Sequence, residues 1–202
     1  MNKPFLALLL LVLGSAVSAC QQYPGGRDVL HHLAPPGWGV PGEDYVVGSK
    51  GEIPGRYQII EWIRYGDDIN DWSELVTNEN WSLTFAKATL GTPREYVDNK
   101  RKFQESFCPG RSGWNIIKSD ETDIVYEVWF KPCPDLAKHY KEKGAEAIAW
   151  VAEIEYYEIA RIMDGTWDRF RVAYAVRGPE LSAEERSEWL TWLESARVRP
   201  AF

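Results

Sequence analysis

Asp164-Gly165-Thr-Trp-Asp168-Arg-Phe170-Arg-Val-Ala-Tyr174-Ala-Val-Arg177 decides the fold. Phe170, Val172, Tyr174 and Val176 alternate with Arg171, Ala173, Ala175 and Arg177, the period of a β-strand. Asp164-Gly165 is a strong hairpin signal, because tight strand-to-strand turns need residues that tolerate positive φ. The pair predicts an antiparallel partner just upstream. There, Ile148, Trp150, Ala152, Ile154 and Tyr156 alternate with Ala149, Val151, Glu153, Glu155 and Tyr157, and the stretch reads as that strand. Ile124-Val-Tyr126-Glu-Val128-Trp-Phe130 gives a third strand, with alternate apolar residues on one face.

Farther out, Arg56–Arg64 is rich in β-formers and predicts a strand. Ser82–Ala88 reads as a weaker strand, and Asn115-Ile-Ile117 as a short one. Asp71–Thr77 reads as a turn of helix entering an extended segment. Two helices have clear starts. Thr92 before Pro93, with Glu95 three residues on, forms a capping box, and Ser182 with Glu185 forms another. Tyr96, Val97, Lys100, Phe103 and Phe107 recur at helical spacing in the first. Trp189, Leu190, Trp192, Leu193 and Ala196 give the second a broad apolar face. The order strands, helix, strands, helix, joined by hairpin-type links, predicts an α+β fold: a mainly antiparallel sheet covered by helices.

The N-terminal end gives an address. Lys3 precedes the apolar run Phe5–Leu13, and small residues follow, the layout of a secretory signal peptide. The run is too short for a comfortable membrane span, which takes about 20 apolar residues. It ends in Val17-Ser18-Ala19-Cys20, which resembles the lipobox of bacterial lipoproteins. That resemblance implies cleavage before Cys20, acyl chains such as palmitate on Cys20, and a periplasm-facing place on the outer membrane in a Gram-negative cell, since residue 21 is Gln rather than Asp. The expected organisation is a signal peptide over 1–19, a lipidated N-terminus and Pro/Gly-rich tether over 20–44, and one domain over 45–202. Leu30, Leu33 and Trp38 are the tether residues able to dock on the body.

The chain carries 23 basic and 30 acidic side chains, a formal net charge of −7. That argues against nucleic acid or an anionic membrane surface as main partner, because both favour a basic face. With Cys20 lipidated, Cys108 and Cys133 are left, and two such thiols in an exported chain read as one disulfide. Metal is the alternative for them, but neither has a CxxC partner or a nearby His pair.

Few residues point to catalysis. His31 and His32 lie in the tether, leaving His139 in the domain, and no nucleophile elbow, zinc helix or phosphate loop is present. Asp67-Asp68-Ile69-Asn70-Asp71 with Glu74 is acidic enough for calcium. It fails the EF-hand pattern, with Ser73 where the loop needs Gly. Glu153 and Glu155 could be paired carboxylates, but cross-strand ion pairs to Arg171 and Arg177 explain them without chemistry. Of ten tryptophans, those inside strands and helices read as core. Trp38, Trp72, Trp81 and Trp167 lie in or near loops, and Trp72, Trp81 and Trp167 are the candidate ligand platforms.

Asp71-Trp72-Ser73-Glu74-Leu75-Val76-Thr77, Asp164-Gly165 before Arg171-Val-Ala-Tyr174-Ala, and Leu181-Ser182-Ala-Glu-Glu185 leading to Trp189 resemble small bacterial lipoproteins of the PsbP-like α/β/α sandwich type, over roughly residues 56–198. The resemblance implies a non-enzymatic envelope protein with no cofactor and no metal. It transfers no catalytic residue. The expected function is a membrane-anchored lipoprotein that binds an envelope protein partner or supports an assembly. The alternative is a binding module for a small ligand or cell-wall polysaccharide.

Overall fold

Along Asp168–Arg177, Phe170, Val172 and Tyr174 face one side and Arg171, Ala173 and Ala175 the other, and all are buried. A strand buried on both faces belongs inside a sheet with layers on either side, and this one lies there. The computed structural model describes residues 28–145, 149–178 and 180–201. The strands are β1 (Asp28–His31), β2 (Tyr45–Ile53), β3 (Tyr57–Arg64), β4 (Glu74–Ser82), β5 (Ser112–Ser119), β6 (Asp123–Phe130), β7 (Tyr156–Asp164), β8 (Asp168–Arg177) and β9 (Arg197–Pro200). The helices described are α1 (Leu83–Thr89), α2 (Pro93–Phe107), α3 (Pro134–Glu142) and α4 (Ala183–Ser195). Seven strands form one sheet in the order β2-β3-β4-β8-β7-β6-β5, antiparallel throughout, and β1 pairs with β9 in a separate ribbon. The fold is α+β, as the element order predicts.

One face lies under α2 and α3. Val97 of α2 packs on Ile124, Tyr126, Ile162 and Ala173. Both residues of the Thr92/Glu95 capping box make their bonds, so α2 begins where the sequence places it. Beside it, Cys108 at the end of α2 is joined to Cys133 at the start of α3, with Cα atoms 5.8 Å apart. Closing that loop, with a sequence separation of 25, stabilises the fold by about 3 kcal/mol in the chain-entropy picture.

The other face lies under α4. Trp189, Trp192 and Leu193 pack on Ile159, Phe170, Val172 and Tyr174, and Trp189 stacks on Tyr174 at 3.5 Å between ring centroids. The Ser182/Glu185 box starts this helix. Its far end is fixed by Arg161, which pairs with Asp123 at 2.8 Å and donates to the carbonyls of Leu193 and Ala196.

Three expectations are corrected, and one helix is added. Residues 28–44 are not a tether: β1 pairs with β9, Leu30 and Trp38 are buried in the core, and the Trp38 indole donates to Glu74 at 3.1 Å. Proline and glycine prevent long regular structure there but leave these side chains free to dock, so residues 28–44 belong to the packed domain rather than to a tether. Ser82–Ala88 is not a strand. The chain leaves β4 at Ser82, Leu83 N donates to Trp167 O, and α1 follows with Ala86 buried. Upstream of β7, the alternating stretch is a 3-10 turn over Val151–Glu153. It is held by Cys133 N donating to Ala152 O at 2.7 Å, with Ala152 packed beside the disulfide. Its alternation comes from packing under α3, and Ile148 lies outside the described residues. Helix α3, with Leu136 and Ala137 as its buried face, went unread in the sequence. Residues 1–27, including the signal segment and Cys20, also lie outside the described residues.

Candidate binding groove

The sheet is wider than α4. The helix lies over β7 and β8, and its N-terminal end reaches β6 through one ion pair, Arg186 Nε with Glu127 Oε1. Beyond that pair, the described residues leave the outer part of the same face uncovered. A solvent-open groove of about 370 Å³ remains between β5, β6, β7 and the segment entering α4. That volume is at the small end of ligand sites.

Its walls follow from strand alternation. Glu127 and Trp129 are two apart on β6, and Gly113 pairs with Trp129 and Asn115 with Glu127 across β5, so all four share a face with Tyr157 of β7. Gly113 is required there: a Cβ would fall inside the Trp129 indole. The indole therefore lies across the edge strand as a half-buried wall. The exposed Lys131 side chain reaches over the ring, its ammonium 5.6 Å from the centroid. Glu127 is nearly buried. It accepts from Arg186 on one oxygen and from the Asn115 amide at 3.1 Å on the other. Leu181 and the exposed Glu180 form the rim.

Tyr157 completes the site. The residue is only 5% exposed, and its hydroxyl makes no well-formed hydrogen bond. Glu127 and Arg186 lie within hydrogen-bonding reach of it, but neither meets it with good geometry. Burial first, then the Glu127 charge, pushes the phenol's pKa up, so it is a protonated O–H donor at neutral pH. A buried hydroxyl without a partner costs about 1–3 kcal/mol, and such groups in native proteins call for an explanation. Asp28, Asn78, Asn80, Gln104 and Arg177 each also hold a buried atom without a partner, but Tyr157 is the one that lines this groove.

The residues singled out from sequence lie elsewhere. Trp72 is 2% exposed, set edge-on to Trp150 with the Arg177 guanidinium 5.5 Å over its ring. Trp81 is 6% exposed between Tyr57 and Tyr96. Neither offers a free ring face, because β4 turns one into the core and the docking of residues 67–73 buries the other. Trp167 is 45% exposed at the β7–β8 turn, and its backbone N–H donates to Asp28. The acidic cluster is dispersed: Asp67 accepts from Ser73, Asp68 from Asn70, Asp71 pairs with Arg177 and Glu74 with Arg64. His139 packs among Phe103, Phe107 and Tyr140.

The cross-strand ion pairs exist with different carboxylates. Arg171 bridges Glu79 of β4 and Glu158 of β7, each at 2.6 Å, and Glu153 instead meets Lys141 of α3. Tyr57 donates to Glu79, and Tyr126 bonds both Arg171 and Glu158. This cluster lies under α2, on the opposite face from the groove. None of its buried polar side-chain atoms lacks a partner.

No family model matches the chain, and no curated protein matches it by sequence. Several solved structures are loosely similar. The Ran-binding protein Mog1p of Saccharomyces cerevisiae is 10% identical, over 91% of this chain and 96% of that one, with a TM-score of 0.46. The cyanobacterial PsbP of Synechocystis is 14% identical, over 95% and 99%, with a TM-score of 0.42. A Bacteroides thetaiotaomicron protein is 10% identical with a TM-score of 0.37, and the chain spans 47% of its length. Likenesses this loose carry over neither a residue nor an activity.

Proposed function

We propose that the protein is a non-enzymatic binding protein of the bacterial envelope, of the PsbP-like sandwich type, that holds a small polar ligand in the groove beside α4. The observation that carries this reading is the buried Tyr157 hydroxyl, which makes no hydrogen bond of good geometry among the described residues, at the wall of an open groove that also holds an indole and an amide. A bound ligand supplies the missing bond. To test this, the full chain in detergent, ¹⁵N-labelled at tryptophan, is titrated with a fragment panel of uncharged, anionic and cationic members. The Trp129 indole resonance is expected to move and the Trp81 indole, packed on Tyr96 under α2 and outside the groove, to stay, with the response lost in Tyr157→Phe. A panel that moves neither, or moves Trp81 alone, contradicts the groove.

The lipobox-like Val17–Cys20 supports anchoring through Cys20 to the outer membrane, facing the periplasm. Cys20→Ser is expected to abolish acyl labelling and release the protein to the soluble envelope fraction; membrane retention in that variant contradicts it. A second reading, a protein partner, is favoured by β2. It is an edge strand of the described sheet, and Val47 is exposed on it. Edge strands of this kind accept added strands. Crosslinking from β2 in intact cells checks it: a defined protein adduct supports the reading, and its absence contradicts it.

A further inference from the structure

We propose that the groove takes a neutral, polyhydroxylated ring, the chemistry of an uncharged sugar residue. This rests on the groove being the binding site. The first argument is charge. Arg186 is committed to Glu127, and Glu180 adds a second carboxylate to the lining, so the groove wall carries more acidic than basic charge. A phosphate or carboxylate ligand would meet that acidic surplus, and to reach Arg186 it would have to break the pair with Glu127, leaving a nearly buried carboxylate uncompensated. A neutral ligand meets no such cost.

The second argument is shape and bonding. Sugar recognition combines a flat apolar surface for the ring C–H face with planar polar side chains that meet hydroxyls in pairs. The Trp129 indole, set flat over Gly113, supplies the surface once the exposed Lys131 chain swings aside. An exposed cation–π contact of this kind is worth only about 0.5–1 kcal/mol. The Asn115 amide and Glu127 carboxylate, 3.1 Å apart, are adjacent planar groups on neighbouring strands. The Tyr157 O–H is the buried donor still in need of an acceptor, which a ring or hydroxyl oxygen provides.

The test is a glycan array carrying neutral and acidic glycans, probed with the full chain in detergent beside the fragment titration above. Binding is expected on neutral glycans. It should weaken by about tenfold or more in Tyr157→Phe, the loss expected for one buried hydrogen bond, and likewise in Trp129→Ala. Preference for acidic glycans, or neutral binding untouched in both variants, overturns the proposal. If fragments move the Trp129 indole but no neutral glycan binds, the sugar assignment fails and the groove stands. If neither occurs, both fail.

Discussion

Arg171 and Arg186 stand on opposite sides of one sheet, each holding a glutamate, and they do different things. Under α2, Arg171 is 5% exposed, and its two carboxylates and two tyrosines complete one another. Beside α4, Arg186 and Glu127 also pair, but the neighbouring Tyr157 hydroxyl is left over and the space in front of it is open. The density of charge is greater in the first cluster, yet it is closed. The mark of a binding site is the unpartnered buried atom next to space, and only the second region has both. The closed face is therefore expected to carry stability and the open face recognition.

The largest effect should come from breaking the closed face. Arg171→Ala takes from the buried Glu79 and Glu158 the arginine that pairs with both, leaving Lys100 as the cation near Glu158, and such losses cost about 3–5 kcal/mol. Chemical denaturation measures this, and a loss under about 1 kcal/mol would place the cluster in water and erase the contrast. Next is Leu30→Ala on β1, expected to cost about 2–5 kcal/mol because the side chain is fully buried beneath α4. A tether residue would cost nothing.

These two positions also show what the sequence displayed and what it hid. The strands around Asp164-Gly165 and both capping boxes were legible because alternation and caps are local. The docking of residues 28–44 was not, since proline and glycine obscure a segment whose anchors, Leu30 and Trp38, meet partners far along the chain. The same holds for the site. Cross-strand pairing of Arg171 was foreseeable, but its carboxylates were sought on Glu153 and Glu155, in a stretch that forms a 3-10 turn. Trp129 read as core because it lies mid-strand. The available signal was Glu127, two residues earlier on the same face, an acidic group where a covered sheet would have an apolar one. That α4 stops short of this face could not be read locally.

A smaller effect should follow pH. His32, on the open face, donates through Nδ1 to Leu33 O at 2.7 Å, with Nε2 3.0 Å from the Asn78 amide nitrogen. Burial, helped by neighbouring His31, lowers its pKa below the ordinary 6.5 despite the Leu33 bond. The unfolded chain then binds the proton more readily than the folded one. Stability is full above pH 6.5 and declines as pH falls from there towards the lowered value. Melting curves of wild type and His32→Phe between pH 7 and 5 check this: the wild-type slope in that window should be the steeper, and equal slopes would remove His32 as its cause.

The smallest effect is the most telling. Tyr157→Phe deletes the one group that sets the open face apart. Deleting a hydroxyl that makes no well-formed bond among the described residues relieves a desolvation cost, so denaturation of the ligand-free protein should show Tyr157→Phe as stable as wild type or up to about 1 kcal/mol more stable. A loss of about 1 kcal/mol or more would mean that the hydroxyl is already bonded, to Glu127 or Arg186, and that the groove holds no vacancy for a ligand to fill.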